Sequence, residues 1–158
     1  MARILVTYYT RTNKTESMAK EVAEGVKAAG GTAVLKPVGE VAVDELMDYD
    51  GIIIGSPTYY GLPASPIKKL LDDSVKHHGK LAGKAGGAFA SSGNVAGGNE
   101  TTIMAILQAL LIHGMVIQGT AQGDHYGPVA VHKMDENVTK QCRSLGERVA
   151  RLAEKLAQ

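Results

Sequence analysis

Hydroxyl, amide and cationic side chains are concentrated in residues 10–15, here called loop 1, just before a predicted helix. Loop 1 consists of Thr10, Arg11, Thr12, Asn13, Lys14 and Thr15. Unpaired backbone N–H groups and the positive end of the helix dipole favour an anion at a helix start. Hydroxyl donors and a lysine would complete a cradle for a phosphate group. The same residues also fit an ordinary helix cap, with Thr12 or Asn13 as N-cap and Glu16 completing a capping box.

A second unusual segment, residues 56–63, is called loop 2 and reads Ser-Pro-Thr-Tyr-Tyr-Gly-Leu-Pro. It contains Pro57, Thr58, Tyr59, Tyr60 and Gly61. A tyrosine ring combines flat apolar area with a polar tip, so paired tyrosines in a turn are suited to stacking on a flat ligand. The alternative is that one ring simply covers the edge of a sheet.

Residues 91–100, called loop 3, are rich in glycine and small polar side chains, among them Ser91, Ser92, Gly93, Asn94 and Gly97. Glycine has no Cβ, so such a loop can bring backbone N–H and C=O groups close to the polar edge of a ring. An ordinary flexible connection would have a similar composition.

Short apolar runs alternate with segments of helical spacing along the whole chain, which predicts an α/β fold. The predicted strands are 4–8, 32–37, 51–55, 84–91 and 115–119, with 128–131 extending or accompanying the last; the predicted helices are 15–29, 66–75, 100–113 and 135–156. We expect one domain over residues 1–158, a doubly wound five-stranded parallel sheet of order 2-1-3-4-5 with helices on both faces. That order places loops 1, 2 and 3 together at the carboxyl ends of strands 1, 3 and 4, which favours a shared ligand site.

Bulk properties exclude several classes of protein. The net charge of +1 indicates no nucleic-acid surface, and a single cysteine, Cys142, excludes a disulfide framework or a cysteine-rich metal site. The longest apolar stretch, 103–117, is interrupted and shorter than the roughly 20 residues of a membrane span. The first apolar run is too short for a secretory signal. We therefore expect a soluble cytoplasmic protein without a metal.

Three other classes with related architectures lack their defining residues. A phospho-receiver domain needs an acidic pair after strand 1 and an aspartate at the end of strand 3, where this chain has Tyr8-Tyr9 and Gly55-Ser56. A low-molecular-weight phosphatase needs a cysteine in the phosphate loop, but Cys142 lies on the last predicted helix. The GxGxxG dinucleotide fingerprint is missing after strand 1.

The combination of motifs resembles the flavodoxin family over nearly the whole chain. Within it, the sequence is most similar to the branch of NAD(P)H:quinone oxidoreductases once called tryptophan-repressor-binding proteins. The motifs are Tyr8-Tyr9-Thr10, Gly55-Ser56-Pro57-Thr58, Tyr60-Gly61, Ser91-Ser92-Gly93, Gly97-Gly98-Asn99-Glu100, His113-Gly114-Met115-Val116-Ile117 and His125-Tyr126-Gly127.

The resemblance implies a flavodoxin-like fold that binds FMN. By position, loop 1 would hold the FMN phosphate, the named residues of loop 2 would line the isoalloxazine, and those of loop 3 would meet its pyrimidine edge and the ribityl chain. Tyr126 would lie near the ring, from the same or a neighbouring subunit. No side chain need act as catalytic acid or base, since the flavin carries the chemistry.

The resemblance leaves two functions open. In the first, the protein takes electrons from NAD(P)H and passes two of them to a quinone-like acceptor, as a homodimer or homotetramer. In the second, it is a flavodoxin-type electron carrier that docks to a redox protein and turns over no substrate of its own. A strongly acidic surface, usual in carriers, is missing here.

The sequence departs from the family pattern in three places. The usual Thr-Gly-Asn-Thr loop has Asn13-Lys14 in place of Gly-Asn; asparagine tolerates a left-handed backbone, so we expect the turn to be kept. The long insertion that the quinone-reductase branch carries after strand 2 is missing. In loop 3, residues 94–96 are Asn-Val-Ala where flavodoxins place an aromatic.

We predict the environment of four histidines. We expect His113 to be a cation at a helix C-terminus, where it would suit the dipole, and His77 and His78 to be solvated. His125, beside Tyr126, is the one histidine expected near the flavin.

Overall fold

Strands and helices alternate along the chain in the computed structural model, which describes residues 1–158. The strands are β1 (Arg3–Tyr8), β2 (Thr32–Pro37), β3 (Gly51–Tyr59), β4 (Leu62–Pro63), β5 (Ala85–Ser92), β6 (Val116–Ile117) and β7 (Val129–Val131). The α-helices are α1 (Lys14–Ala28), α2 (Ser65–Asp73), α3 (Asn99–Ile112) and α4 (Glu136–Leu156). None of the helices has the length and apolar character that crossing a membrane requires.

The sheet has the predicted doubly wound order. Its parallel path runs β2-β1-β3-β5-β6, and the two-residue β4 pairs antiparallel with β3. The fifth position is split, because β6 pairs with the start of β5 and β7 pairs in parallel with its end. Residues 118–128 leave the sheet between these two short strands. The fold prediction is thus confirmed, and the segment expected to extend or accompany the fifth strand completes it.

The central strands are buried on both faces, as their continuous apolar sequences predict. Neighbouring residues of a strand point to opposite faces, so Val6 and Ile53 join one core, and Leu5 and Ile54 join the other. Helices α1 and α4 cover the first face, and α2 and α3 cover the second. Cys142 belongs to the first core, where burial raises the pKa of its thiol to about 12.

One histidine prediction is wrong, and a second holds for position but not for charge. His77 is buried and its Nε2 lies 2.8 Å from a carboxylate oxygen of Asp44, so it is not a solvated loop residue. His113 does follow the last residue of α3, but burial lowers its pKa. It is therefore neutral at pH 7 and provides no cation for the helix dipole.

Two glycines allow α1 and α4 to approach closely. A Cβ at Gly25 would overlap the carbonyl oxygen of Arg143, and a Cβ at Gly146 would overlap that of Val22. Outside this contact, Arg143 Nε is 2.7 Å from Glu21 Oε2. Because the obstructing atoms are backbone, they cannot move aside without separating the helices.

Gly146→Ala should therefore lower the free energy of unfolding by roughly 1–3 kcal/mol, the usual cost of overpacking. Gly39→Ala is the matched control, since a Cβ there meets no atom within 4 Å; we expect it to change stability little. Urea denaturation measures both. Equal stability of the Gly146→Ala variant and the parent chain would contradict the close packing of α1 on α4.

Candidate functional site

Loops 1, 2 and 3 meet at the carboxyl edge of the sheet. In the parallel register Tyr8 of β1 pairs with Gly55 of β3, and Pro57 of β3 pairs with Ser91 of β5. The Tyr9 N–H then donates to the Gly55 carbonyl at 3.2 Å, which holds the start of loop 1 beside β3. The structure thus brings together the three segments that the sequence singled out.

Loop 1 enters α1 through a left-handed residue. Asn13 is the N-cap with φ of 68°, so the turn that family members make with glycine is kept by asparagine, as predicted. Its side chain makes no capping hydrogen bond. Glu16 pairs with Lys20 at 2.9 Å, so the capping box that was the alternative interpretation is wrong. The first N–H groups of α1 have no side-chain acceptor and remain available to an anion.

The other groups of loop 1 also fit an anion. The buried Thr10 Oγ1 has no hydrogen-bond partner in the chain. Thr15 is buried, and its Oγ1 lies 2.9 Å from Ser91 Oγ, which ties loop 1 to loop 3. Lys14 is half-buried and Arg11 exposed, and neither is in an ion pair. A buried, unpartnered hydroxyl is costly unless a ligand satisfies it, so these groups fit a phosphate.

Loop 2 is a tight hairpin between β3 and β4. Tyr60 and Gly61 are its two turn residues, with φ of 51° and 75°, the left-handed pair that a type I′ turn requires. The Tyr60 ring is fully exposed at the tip. The Tyr59 ring meets the ring of Tyr9, the residue after β1, edge to face, with centroids 6.5 Å apart. Both loop 2 tyrosines are therefore at least partly exposed at the site, where they could contact a flat ligand.

Two hydroxyls complete loop 2. The Ala64 N–H donates to Ser56 Oγ at 2.9 Å, and this hydrogen bond joins the two ends of the hairpin. Thr58 Oγ1 is buried without a partner. The site thus has a second unsatisfied hydroxyl, and like Thr10 it belongs to a loop that the sequence predicts to contact a ligand.

Loop 3 has a fixed base and an exposed tip. Ser92 Oγ lies 3.0 Å from the Asn94 carbonyl oxygen, and Asn99 Nδ2 donates to Ser92 Oγ at 3.0 Å. Residues 93–97 are exposed, and Ala96 has φ of 55°. Their backbone N–H and C=O groups can therefore reach a ligand at the edge.

Loops 2 and 3 are locked to each other by residues that the sequence did not single out for this role. Thr101 Oγ1 lies 2.7 Å from the Gly61 carbonyl oxygen and 2.9 Å from that of Gly98. A Cβ on Gly98 would be 2.6 Å from Gly61 Cα, so glycine is needed at this contact. The pair Gly97-Gly98 indicates a close approach of backbone, but the sequence does not show that loop 2 is the neighbour.

Tyr126 and His125 lie in the segment between β6 and β7. Tyr126 is about half exposed, and no hydrogen bond or ring contact joins it to the three loops. His125 Nδ1 lies 2.9 Å from the Thr120 carbonyl oxygen. Their approach to a bound ring stays a prediction.

Backbone strain is concentrated at this edge. Of the four non-glycine residues with positive φ in the chain, one lies in each loop: Asn13, Tyr60 and Ala96. Such residues cost about 1–3 kcal/mol each and cluster at ligand sites. The arrangement offers an anion cradle, a ring platform and a rim of backbone donors and acceptors, and it contains no paired acid and base.

Comparisons with known proteins show which family and fold this chain resembles. The flavodoxin family profile matches residues 6–149. A flavodoxin from Clostridium saccharobutylicum is 37% identical over 155 residues, covering 94% of this chain and 95% of its own. An NAD(P)H dehydrogenase (quinone) from Archaeoglobus fulgidus is 34% identical over 190 aligned positions, covering 99% and 100%. The crystal structure of a WrbA-like flavodoxin from Agrobacterium tumefaciens superposes with a TM-score of 0.84 at 29% identity, covering 98% and 99%.

Asn13→Gly should leave the free energy of unfolding nearly unchanged, because both residues accept the left-handed turn. Asn13→Val should lower it by roughly 1–2 kcal/mol, the cost of that conformation for a residue with an obstructing Cβ. Thermal or urea unfolding measures the difference, with Thr12→Val, whose φ is not positive, as the control. If Asn13→Val and Thr12→Val cost the same, the left-handed turn of loop 1 is wrong.

Proposed function

The chain belongs to the flavodoxin family, and we propose that it binds FMN at loops 1, 2 and 3 and acts as an NAD(P)H:quinone-type oxidoreductase. The observation that carries FMN binding is the unsatisfied anion cradle of loop 1, where α1 starts without a side-chain cap beside the unpartnered Thr10 hydroxyl. The family implies the same cofactor. Loops 2 and 3 leave the same edge of the sheet as this cradle, because Tyr8 pairs with Gly55 and Pro57 pairs with Ser91.

Each loop has a separate part in holding the cofactor. Lys14 and the threonine hydroxyls of loop 1 would hold the phosphate, and Tyr59 and Tyr60 would shield the ring. The backbone and serines of loop 3 would meet the ring's polar edge. FMN, when bound, supplies the electron-transfer chemistry. The protein's own contribution is to orient the ring, exclude water from one side and leave access for substrate on another.

Two features support the proposed enzyme activity: the open side of loop 3 and the net charge of the chain. In the proposed reaction, NAD(P)H and a proton reduce a quinone to its hydroquinone, and NAD(P)⁺ is released. Loop 3 presents Asn94, Val95 and Ala96 at its exposed tip, so no aromatic side chain from it covers a bound ring. The net charge of +1 suits anionic NAD(P)H better than the strongly acidic surface of a carrier would. Relatives named NAD(P)H dehydrogenase (quinone) support this proposal.

The second candidate is an electron carrier. The alignment with the Clostridium flavodoxin spans 155 residues, nearly the length of this chain. The alignment with the Archaeoglobus enzyme needs 190 positions, so that enzyme contains residues with no counterpart here. Chain length therefore favours the carrier, whereas charge and the open loop 3 favour the enzyme.

Lys14→Glu should weaken FMN binding about 10- to 100-fold, because a charge-assisted hydrogen bond to phosphate is lost. Riboflavin lacks the phosphate, so its affinity should not change. The fold should survive, since a carboxylate suits the first turn of a helix. Fluorescence titration measures both ligands, with Lys80→Glu, an exposed lysine outside the loops, as the control. An unchanged FMN affinity, or an equal loss for riboflavin, would show that the phosphate lies elsewhere.

The FMN-loaded protein should oxidise NADH or NADPH steadily when benzoquinone is present, and a redox titration should show a single two-electron step. Val95→Trp should lower turnover by covering the open side of loop 3 while FMN stays bound, and Val95→Ala should not. No turnover, together with two well-separated one-electron potentials, would establish the carrier instead. Failure to bind FMN at all would exclude both functions.

A further inference from the structure

A polar groove of about 530 Å³ lies between α4 and the segment that follows β6. Gln118 and Thr120 line one side, and a stripe of α4 lines the other, consisting of Ser144, Glu147, Arg148, Arg151, Leu152 and Lys155. The stripe ends near the start of β1, because the Ala2 N–H donates to Glu154, the neighbour of Lys155, at 3.1 Å. The groove therefore extends towards the amino edge of the sheet, and none of the residues assigned to FMN lines it.

Arg148 is the one cation of this groove that is not fully exposed. Its Nε donates to the Gln118 carbonyl at 3.1 Å, which fixes the guanidinium between the two sides. Its two Nη nitrogens make no hydrogen bond within the chain, and neither is fully buried, so a ligand in the groove can reach them. Burial lowers the pKa of Arg148, and no carboxylate offsets that effect. A partly desolvated cation without a counter-charge favours an anionic ligand.

The charges around Arg148 are unbalanced. Arg151 pairs with Glu147, with Nη2 and Oε2 3.3 Å apart, whereas Arg148 and Lys155 are in no ion pair. Three cations and one carboxylate thus give the groove a net charge of +2. A phosphate monoester carries roughly −1.5 to −2 at pH 7 and accepts the paired N–H groups of a guanidinium. Its charge and geometry therefore match the groove.

The remaining lining groups are suited to hydroxyl groups rather than to a flat ring. Leu152 is the one apolar residue that lines the groove, and no aromatic residue does. The Ser144 hydroxyl and the Gln118 side-chain amide are exposed and make no hydrogen bond within the chain. Both can donate to and accept from the hydroxyl groups of a ligand.

We propose that this groove binds a phosphorylated sugar or polyol, with its phosphate on Arg148 and Lys155 and its hydroxyl groups on Ser144 and Gln118. Inorganic phosphate matches the cations but leaves most of the groove empty. A nucleotide or FMN would bring a flat ring, for which the groove has no aromatic or extended apolar wall.

The test compares ribose 5-phosphate, inorganic phosphate and ribose on the FMN-loaded full chain after excess FMN has been removed. Binding is followed through the backbone amide NMR signals of Thr120, Ser144 and Arg148. We expect ribose 5-phosphate to bind about 5-fold more tightly than inorganic phosphate, as one neutral hydrogen bond predicts, and ribose not to saturate the site. Ser144→Ala should reduce the difference between the two phosphates.

Charge variants test the phosphate contact. Arg148→Gln should weaken the binding of ribose 5-phosphate about 10-fold or more, because charge-assisted hydrogen bonds are lost. Glu147→Gln should tighten it, since a carboxylate is removed from the groove and Arg151 is released from its ion pair. Lys140→Gln is the matched control: Lys140 is an exposed lysine of the same helix outside the groove, and its loss changes the net charge by the same amount as Arg148→Gln.

Several results would overturn the proposal: no saturable binding of ribose 5-phosphate, equal affinities for ribose 5-phosphate and inorganic phosphate, or equal losses in Arg148→Gln and Lys140→Gln. So would shifts that are largest in loop 1 rather than at the groove. If Arg148→Gln does not fold, Lys155→Gln and Glu147→Gln decide the matter, because they should change the affinity in opposite directions. The outcome is independent of the proposed function, since the loop 1 variants test FMN binding separately.

Discussion

The parallel register of β1, β3 and β5 is the constraint on which the site depends. Because Tyr8 pairs with Gly55 and Pro57 pairs with Ser91, the three strands reach the same edge and their loops leave it side by side. Two-sided burial fixes this register, since a shift of one residue would turn Val6 and Ile53 out of one core and into the other. The apolar packing of the two cores therefore fixes where the residues of the three loops lie at the sheet edge.

The loops themselves are stabilised by contacts between one another. The Thr15 and Ser91 hydroxyls form a hydrogen bond, and the Thr101 hydroxyl lies within hydrogen-bond distance of the Gly61 and Gly98 carbonyl oxygens. Loop 3 therefore contacts both loop 1 and loop 2. This network holds three left-handed non-glycine residues in place before any ligand arrives. A preorganised site loses less conformational entropy on binding. The unpartnered hydroxyls of Thr10 and Thr58 are the cost of that arrangement, and a bound cofactor would offset it.

Local sequence predicted the fold and the loops well, because hydrophobic periodicity and glycine placement are local signals. β2 has the predicted bounds, and Asn13 has the left-handed backbone expected of an asparagine that replaces the glycine of the family's loop. Properties that depend on tertiary contacts were missed. Glu16 resembled part of a capping box but pairs with Lys20, and His77 was expected to be solvated but is buried against Asp44. His113 does lie at the predicted helix end, but its burial against Ser74 was not foreseen. The bridging role of Thr101 had no sequence signal, since its partner Gly61 is 40 residues away.

The central claim is that one ligand is held by loops 1, 2 and 3 together. Backbone amide NMR of the full chain during FMN addition tests it most directly. We predict that the largest shifts fall in residues 10–15, 56–63 and 91–100, while the amides of Leu71 on α2 and of Ala105 and Ala109 on α3 hardly move. Saturable binding with the largest shifts outside those three loops, or with loop 1 unaffected, would contradict the account.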